Sequence, residues 1–321
     1  MDTAIQLTEL TKHYGRTRAL NDLSLDVATG EVYGFLGPNG AGKSTTIRIM
    51  LDLLRADSGT AVVLGLDSRR EARELHRRVA YVPGDVSLWP RLTGGQAIDV
   101  LLALNGGGDE KRRADLVERF QLDPTVRGKA YSKGNRQKVA LVAALASRAE
   151  LLVLDEPTSG LDPLMESVFQ DCVREAKREG RTVFLSSHIL AEAEALCDRV
   201  GIIKDGALVE SGTLSELRHL SMSAVEAHTA RPPRADLDHV AGITGLTVVP
   251  ERDGYALTCH IHPDATPELL AALTEAGVRT LVSRPPSLEE LFLGYYAGDP
   301  GDPDADPART DGAARSAGSA R

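Results

Sequence analysis

The chain has 321 residues, 42% of them hydrophobic and 26% charged, with a formal net charge of −9. That balance supplies core material for about two domains, and its acidic sign argues against nucleic acid as the main partner. No apolar run reaches the roughly 18 residues of a membrane-spanning helix, and MDTAIQLTEL lacks the basic start and apolar stretch of a secretion signal.

IQLTEL and LSLDVA alternate as half-buried strands do, Thr29-Gly30 marks a turn, and VYGFL is a strand leading into GPNGAGKST. There, a glycine and four residues precede Gly42, Lys43 and Ser44, and KSTTIRIMLDLL then reads as a helix. Glycines let backbone N–H groups turn inward toward a phosphate without a Cβ in the way. Gly37, Pro38, Asn39, Gly40, Ala41 and Gly42 thus read as a phosphate cradle that continues into Lys43, Ser44 and Thr45. Lys43 sets a point charge against the β- and γ-phosphates, and Ser44 offers a hydroxyl to Mg²⁺. The helix start adds free N–H groups and a favourable dipole. The pattern predicts binding of a nucleoside triphosphate.

DSGT (57–60) reads as a turn before the strand AVVLG, and VAYV as a strand ending at Pro83-Gly84. From Thr93, a predicted helix cap, to about Ala146 the pattern is helical. It covers 94–104, breaks at the glycines of 106–108, and resumes in the amphipathic EKRRADLVERF. LLVLD and TVFLSS are apolar runs expected of buried parallel strands, with helices over 163–178 and 189–197 covering them. This alternation predicts an α/β domain with a helical insertion. The cysteines Cys172, Cys197 and Cys259, odd in number and in no metal spacing, read as buried or inert thiols of a reducing compartment.

From about Thr213 the character changes. TLSE is a capping box from Thr213 to Glu216, and LTVVPERDGYALTCHIH reads as a hairpin turning at Asp253-Gly254. PELLAALTEAG is a helix with Pro267 near its first position and Gly277 as its stop, followed by the strand VRTLVS. A last helix, SLEELFLGYY, carries a second capping box at Ser287 and Glu290, completing a small α+β domain over 213–297. From Gly298 the tail is too poor in apolar residues to fold and is expected to be disordered.

LLVLDEP ends in Asp155 and Glu156, which at the carboxyl end of a buried parallel strand would lie beside the phosphate loop. One carboxylate can then hold the Mg²⁺ shell while the other orients and deprotonates a water. Asp155 is assigned to Mg²⁺ and Glu156 to the base; the alternative is two solvated acids at a strand end.

At these residues the chain resembles the ATP-binding subunits of ABC transporters, over residues 4 to about 212. The family's signature loop, usually LSGGQ, stands here as YSKGN. Ser132, Gly134 and Asn135 fall on its second, fourth and fifth positions, while Tyr131 and Lys133 depart from it. The resemblance implies a P-loop ATPase fold over 1–212, a mixed sheet with a helical subdomain at about 85–146. It implies that the Ser132 loop contacts the γ-phosphate held by an opposite subunit, and that SGLD (Ser159 to Asp162) lies along the dimer interface. His188 matches the switch histidine that contacts the γ-phosphate and helps place the water, beside Glu156 and Lys43. Tyr14 matches the aromatic that stacks on adenine, or else packs on its own strand.

ATP and Mg²⁺ are the implied cofactors. The implied partners are a second ATPase domain, as homodimer or heterodimer, and a separate membrane permease that holds the chain peripherally at the cytoplasmic face. The family's usual glutamine after the strand VAYV is replaced by Gly84, and Asp85 is expected to supply part of the missing Mg²⁺ contact. Trp89, the only tryptophan, lies where the family meets its permease and reads equally as an interface anchor or a core residue. The SKG form of the signature and the SLEELFLGYY ending are similar to the subgroup that exports drugs, antibiotics or lipids. An importer subunit, or a non-transport ATPase acting on ribosomes or DNA, is the alternative.

Overall fold

Alternate side chains between Ile5 and Val27 are apolar and buried, so the chain opens as two long paired strands, β1 (Thr3–Tyr14) and β2 (Thr17–Ala28). The computed structural model describes residues 2–219, 222–234 and 236–284. β3 (Val32–Leu36) follows, then α1 (Lys43–Met50), β4 (Ser58–Val63), β5 (Leu66–Asp67), α2 (Ala72–Arg78) and β6 (Val79–Val82). A helical stretch comprises α3 (Gly94–Leu104), α4 (Glu110–Arg119) and α5 (Lys133–Ala146). The chain then alternates through β7 (Leu151–Asp155), α6 (Pro163–Arg178), β8 (Thr182–Ser187), α7 (Leu190–Leu196), β9 (Arg199–Lys204) and β10 (Ala207–Thr213). Last come α8 (Leu214–His219), β11 (Ser223–Thr229), β12 (Ile243–Glu251), β13 (Gly254–Ile261), α9 (Thr266–Glu275) and β14 (Val278–Arg284).

The central sheet runs β10-β9-β3-β8-β7-β6, parallel except for the antiparallel edge strand β10. Every residue of β3, β7 and β8 is buried, as expected for strands covered on both faces. Their side chains alternate between two cores. Leu152, Leu154, Val183 and Leu185 pack with α5 and α6, while Tyr33, Phe35, Val153 and Phe184 pack with α1 and the sheet β2-β1-β4-β5. Phe184 stacks on Tyr33 with ring centroids 5.9 Å apart. A third sheet, β12-β13-β11-β14, encloses a separate core that includes Leu257, Cys259, Leu269 and Leu273.

The predicted caps are present. The Thr93 side chain accepts from Gln96 N while Gln96 reaches back to Thr93 N, and Thr213 and Glu216 do the same. All three cysteines are buried, and no helix among the described residues is long and apolar enough to cross a membrane.

Several local expectations need correction. DSGT is mostly strand: a Cβ on Gly59 would overlap the Glu9 carbonyl, so this glycine serves a close strand-to-strand approach instead of a turn. The turn falls at Leu64-Gly65, both at positive φ. The helix after the phosphate loop ends at Met50, short of Leu54. In the C-terminal hairpin Glu251 pairs with Gly254, which places the turn at Arg252-Asp253. The sequence reading also missed β5, α2 and β9 to β11. SLEELFLGYY, its capping box at Ser287 and Glu290, and the tail from Gly298 lie outside the described residues.

Candidate active site

β3, β8 and β7 are neighbours in the sheet, so the segments that leave their carboxyl ends share one rim. The first is the glycine loop. A Cβ on Gly37 would sit 2.7 Å from the Ile203 carbonyl oxygen, and Gly42, at φ +112°, has the Ala19 carbonyl 2.8 Å from where its Cβ would be. Only glycine fits both positions, and the loop is thereby seated against β9 and β2. Lys43, the first residue of α1, is buried, and its ammonium donates to the carbonyls of Gly37 at 2.6 Å and Pro38 at 3.2 Å. A cavity of about 150 Å³ brings Pro38, Asn39, Gly40 and Gly42 together with Lys43, Ser44, Thr45 and Glu156.

β7 supplies the carboxylates. Asp155 is 3% exposed, and its Oδ1 accepts the Ser186 hydroxyl at 2.5 Å. Glu156 stands at φ +48°, a left-handed conformation unusual for a non-glycine residue, with its N–H held by the Ser186 carbonyl at 3.0 Å. Its Oε1 lies 3.6 Å from Lys43 Nζ and 3.3 Å from Nδ1 of His188, the exposed residue that follows β8. Lys43 and His188, far apart in the sequence, thus meet on one Glu156 carboxylate oxygen. Burial holds the Lys43 ammonium below its ordinary value, and the Glu156 and Asp155 carboxylates oppose that shift. The Tyr81 hydroxyl on β6 is pushed up to about 12 by burial and by the Asp155 charge.

The signature segment forms a second cluster. Ser132 caps α5, its Oγ accepting from Asn135 N at 3.3 Å. Lys133 Nζ donates to Ser159 Oγ at 2.8 Å, and a Cβ on Gly134 would run into the Gly160 carbonyl, so the SKG and SGLD segments lie backbone to backbone. Arg136 donates to the carbonyls of Val86 and Tyr131, tying this helix start to the segment that leaves β6. Asp162 caps α6, its Oδ1 accepting from Met165 N at 3.0 Å. None of these residues lines the cavity at the phosphate loop.

Tyr14 is exposed at the end of β1, with the Lys12 ammonium 5.8 Å from its ring centre. A Cβ on Gly84 would lie 3.3 Å from the Asp155 carbonyl, so the chain passes close beside that carboxylate. Asp85, one residue on, is exposed and has no side-chain partner among the described residues; no contact joins it to Asp155 or Ser44. Trp89 is 45% exposed, which removes the core reading. Sequence reasoning missed Ser186, whose hydroxyl orients Asp155; the one available signal was the polar Ser186-Ser187 pair closing an otherwise apolar strand.

A parallel sheet, a glycine loop seated at its rim and a strand-end carboxylate pair facing the loop's lysine define a P-loop nucleoside triphosphatase. Residues 20–159 match the ABC transporter family. The chain is 36% identical over 311 residues to the daunorubicin resistance ATP-binding protein DrrA3 of Streptomyces coeruleorubidus, covering 93% of this chain and 97% of that one. It is 31% identical to the linearmycin resistance ATP-binding protein LnrL of Bacillus subtilis, covering 90% and 97%. The solved ATP-binding subunit of an ABC transporter superposes with a TM-score of 0.63 at 31% identity, over 67% of this chain and 92% of that one. The chain belongs to the ABC transporter family, as an ATP-binding subunit that hydrolyses ATP, and its fold is the expected ABC-type ATPase.

Proposed function

We propose that this ATPase powers the export of a hydrophobic drug or antibiotic through a separate membrane permease. The observation that carries the chemistry is the convergence of Lys43, Glu156 and His188 at the mouth of the phosphate loop. Transport of a drug-like cargo is supported by the resistance proteins that the chain resembles along nearly its whole length.

In this reading the N–H groups of the 37–45 loop and the Lys43 ammonium hold the phosphates of ATP, and Tyr14 stacks on the adenine. Ser44 and Asp155 offer hard oxygen donors that suit Mg²⁺, an ion content with one or two protein ligands when phosphate and water complete its octahedron. An ion held there would neutralise charge on the phosphate oxygens. Glu156 orients a water and takes its proton, while His188, beside the same carboxylate, meets the γ-phosphate. Positioning and charge stabilisation dominate, as they do in phosphoryl transfer generally.

Ser132, Gly134, Asn135 and Asp162 lie away from the chain's own phosphate loop, so they serve ATP held by a second subunit. A homodimer would hold two such composite sites. Residues 1–212 form the ATP-binding unit, with about 85–146 as its helical subdomain, and an accessory domain begins at about residue 213. The exposed Trp89 anchors the chain to its permease at the cytoplasmic face of the membrane.

The test is to tag the chain in its native cell, solubilise membranes gently and identify what co-purifies. A stoichiometric multi-spanning protein is the expected partner. Recovery from the soluble fraction alone, or with ribosomes, would overturn the transport reading.

A further inference from the structure

Glu192, on α7, is 6% exposed, and no cation pairs with it among the described residues. A buried carboxylate without a counter-charge is costly unless its oxygens are hydrogen-bonded, and an apolar side chain would serve the packing of a helix better. Both Glu192 oxygens are in fact engaged, one by the loop after β7 and the other by the last residue of β8. Oε1 accepts the Thr158 hydroxyl, and Oε2 accepts the Ser187 hydroxyl at 2.7 Å. Thr158 stands two residues beyond Glu156, and Ser187 immediately precedes His188. The Ser187 oxygen in turn accepts the N–H of Ile189 at 2.9 Å. The residues on either side of His188 are therefore fastened, although the imidazole itself is exposed.

We propose that Glu192 is a positioning residue for ATP hydrolysis. It registers the loop bearing His188 against the loop bearing Glu156, and so sets the 3.3 Å approach of His188 Nδ1 to Glu156 Oε1. The inference rests on the catalytic reading of those two residues given above. Glu192 touches neither the phosphate loop nor the reacting groups, so it acts on turnover through geometry and leaves nucleotide binding alone.

The experiment measures steady-state ATPase rate and ATP affinity separately in the full-length chain. Glu192→Ala lowers kcat about tenfold, the scale on which an orienting partner acts, with ATP affinity within about twofold of the parent. The decisive arm adds Glu192→Ala to His188→Ala. With no imidazole left to register, the second substitution costs less than about twofold more, because residues acting as a unit are non-additive. A parental kcat in Glu192→Ala, or fully additive losses in the double variant, overturns the proposal. If His188→Ala alone leaves kcat unchanged, the catalytic reading of His188 falls first and takes the proposal with it. Should Glu192→Ala fail to fold, Thr158→Val and Ser187→Ala carry the same test. Each removes one hydroxyl, and each is expected to lower kcat about threefold beside His188 and not at all in its absence.

Discussion

Replacing Gly42 by alanine tests the phosphate loop where its geometry is most constrained. The residue holds φ +112° and its missing Cβ faces the Ala19 carbonyl oxygen at 2.8 Å, against 3.4 Å or more for an ordinary contact. The new methyl must gain about 0.6 Å from a backbone atom that cannot rotate away. Left-handed strain costs about 1–3 kcal/mol and the overpacking a further ~1–3 kcal/mol. The total, about 2–6 kcal/mol, has two places to go. If the loop keeps its shape, folding stability falls by that amount. If the loop relaxes, its N–H groups leave the phosphates and ATP affinity falls instead, about tenfold for each 1.4 kcal/mol. Urea unfolding without nucleotide and ATP titration of the folded protein measure the two losses, which should sum to about 2–6 kcal/mol. A variant within about 0.5 kcal/mol of the parent on both measurements would refute the argument that Gly42 is held there by its backbone.

Glu156→Gln should cut hydrolysis by about 10²–10⁴-fold, the worth of a general base. ATP binding should persist or tighten, since the change removes a negative charge 3.6 Å from the cation that meets the phosphates. Retained turnover would assign the proton transfer elsewhere. Asp85→Ala should raise the Mg²⁺ requirement of turnover, since its exposed carboxylate follows Gly84, which passes close beside Asp155; unchanged turnover and Mg²⁺ dependence would remove Asp85 from the site. Stability should fall in acid. The Lys12 ammonium and the His13 N–H hold the Asp57 carboxyl down to about 2, and Arg119 and Arg112 hold Glu175 below its ordinary value. Carboxyl groups depressed in the folded state contribute stability above their unfolded pKa of about 4, and lose it as pH falls through the folded values. A urea midpoint at pH 3 equal to that at pH 7 would contradict this.

The strands that build the site were legible because their burial on both faces leaves unbroken apolar runs: VYGFL, LLVLD and TVFLSS. The phosphate loop was legible because its chemistry is local, nine consecutive residues that make one cradle. The convergence of Lys43, Glu156 and His188 was legible only through the strand-end rule and the family resemblance, since it depends on β8 lying between β3 and β7, and no short-range pattern records a sheet's strand order. Gly59 misled for a related reason. A glycine that admits a neighbouring backbone carries the same letter as a glycine that turns. Glu156 offered no hint of its left-handed backbone, which the Ser186 carbonyl and the adjoining strand impose. Trp89 remained ambiguous because hydrophobicity alone does not separate a core ring from an exposed one.

Two departures of the signature segment from its family pattern, at Tyr131 and Lys133, have a local counterpart. Tyr131 replaces a smaller aliphatic residue, yet it is buried, and its hydroxyl donates to the Asp123 carbonyl at 2.5 Å. Space for the ring exists because position 94 is glycine; a Cβ there would overlap the Tyr131 hydroxyl. A larger residue in the signature is thus matched by the smallest one at the start of α3, and Ser132 still caps α5. Lys133, in place of the usual glycine, runs outward to Ser159 and leaves the Gly134 to Gly160 approach intact. Both substitutions therefore preserve the features that recognition of a phosphate requires, a serine hydroxyl and free N–H groups at a helix start. What they add is a cationic link between the two segments predicted to face the second subunit.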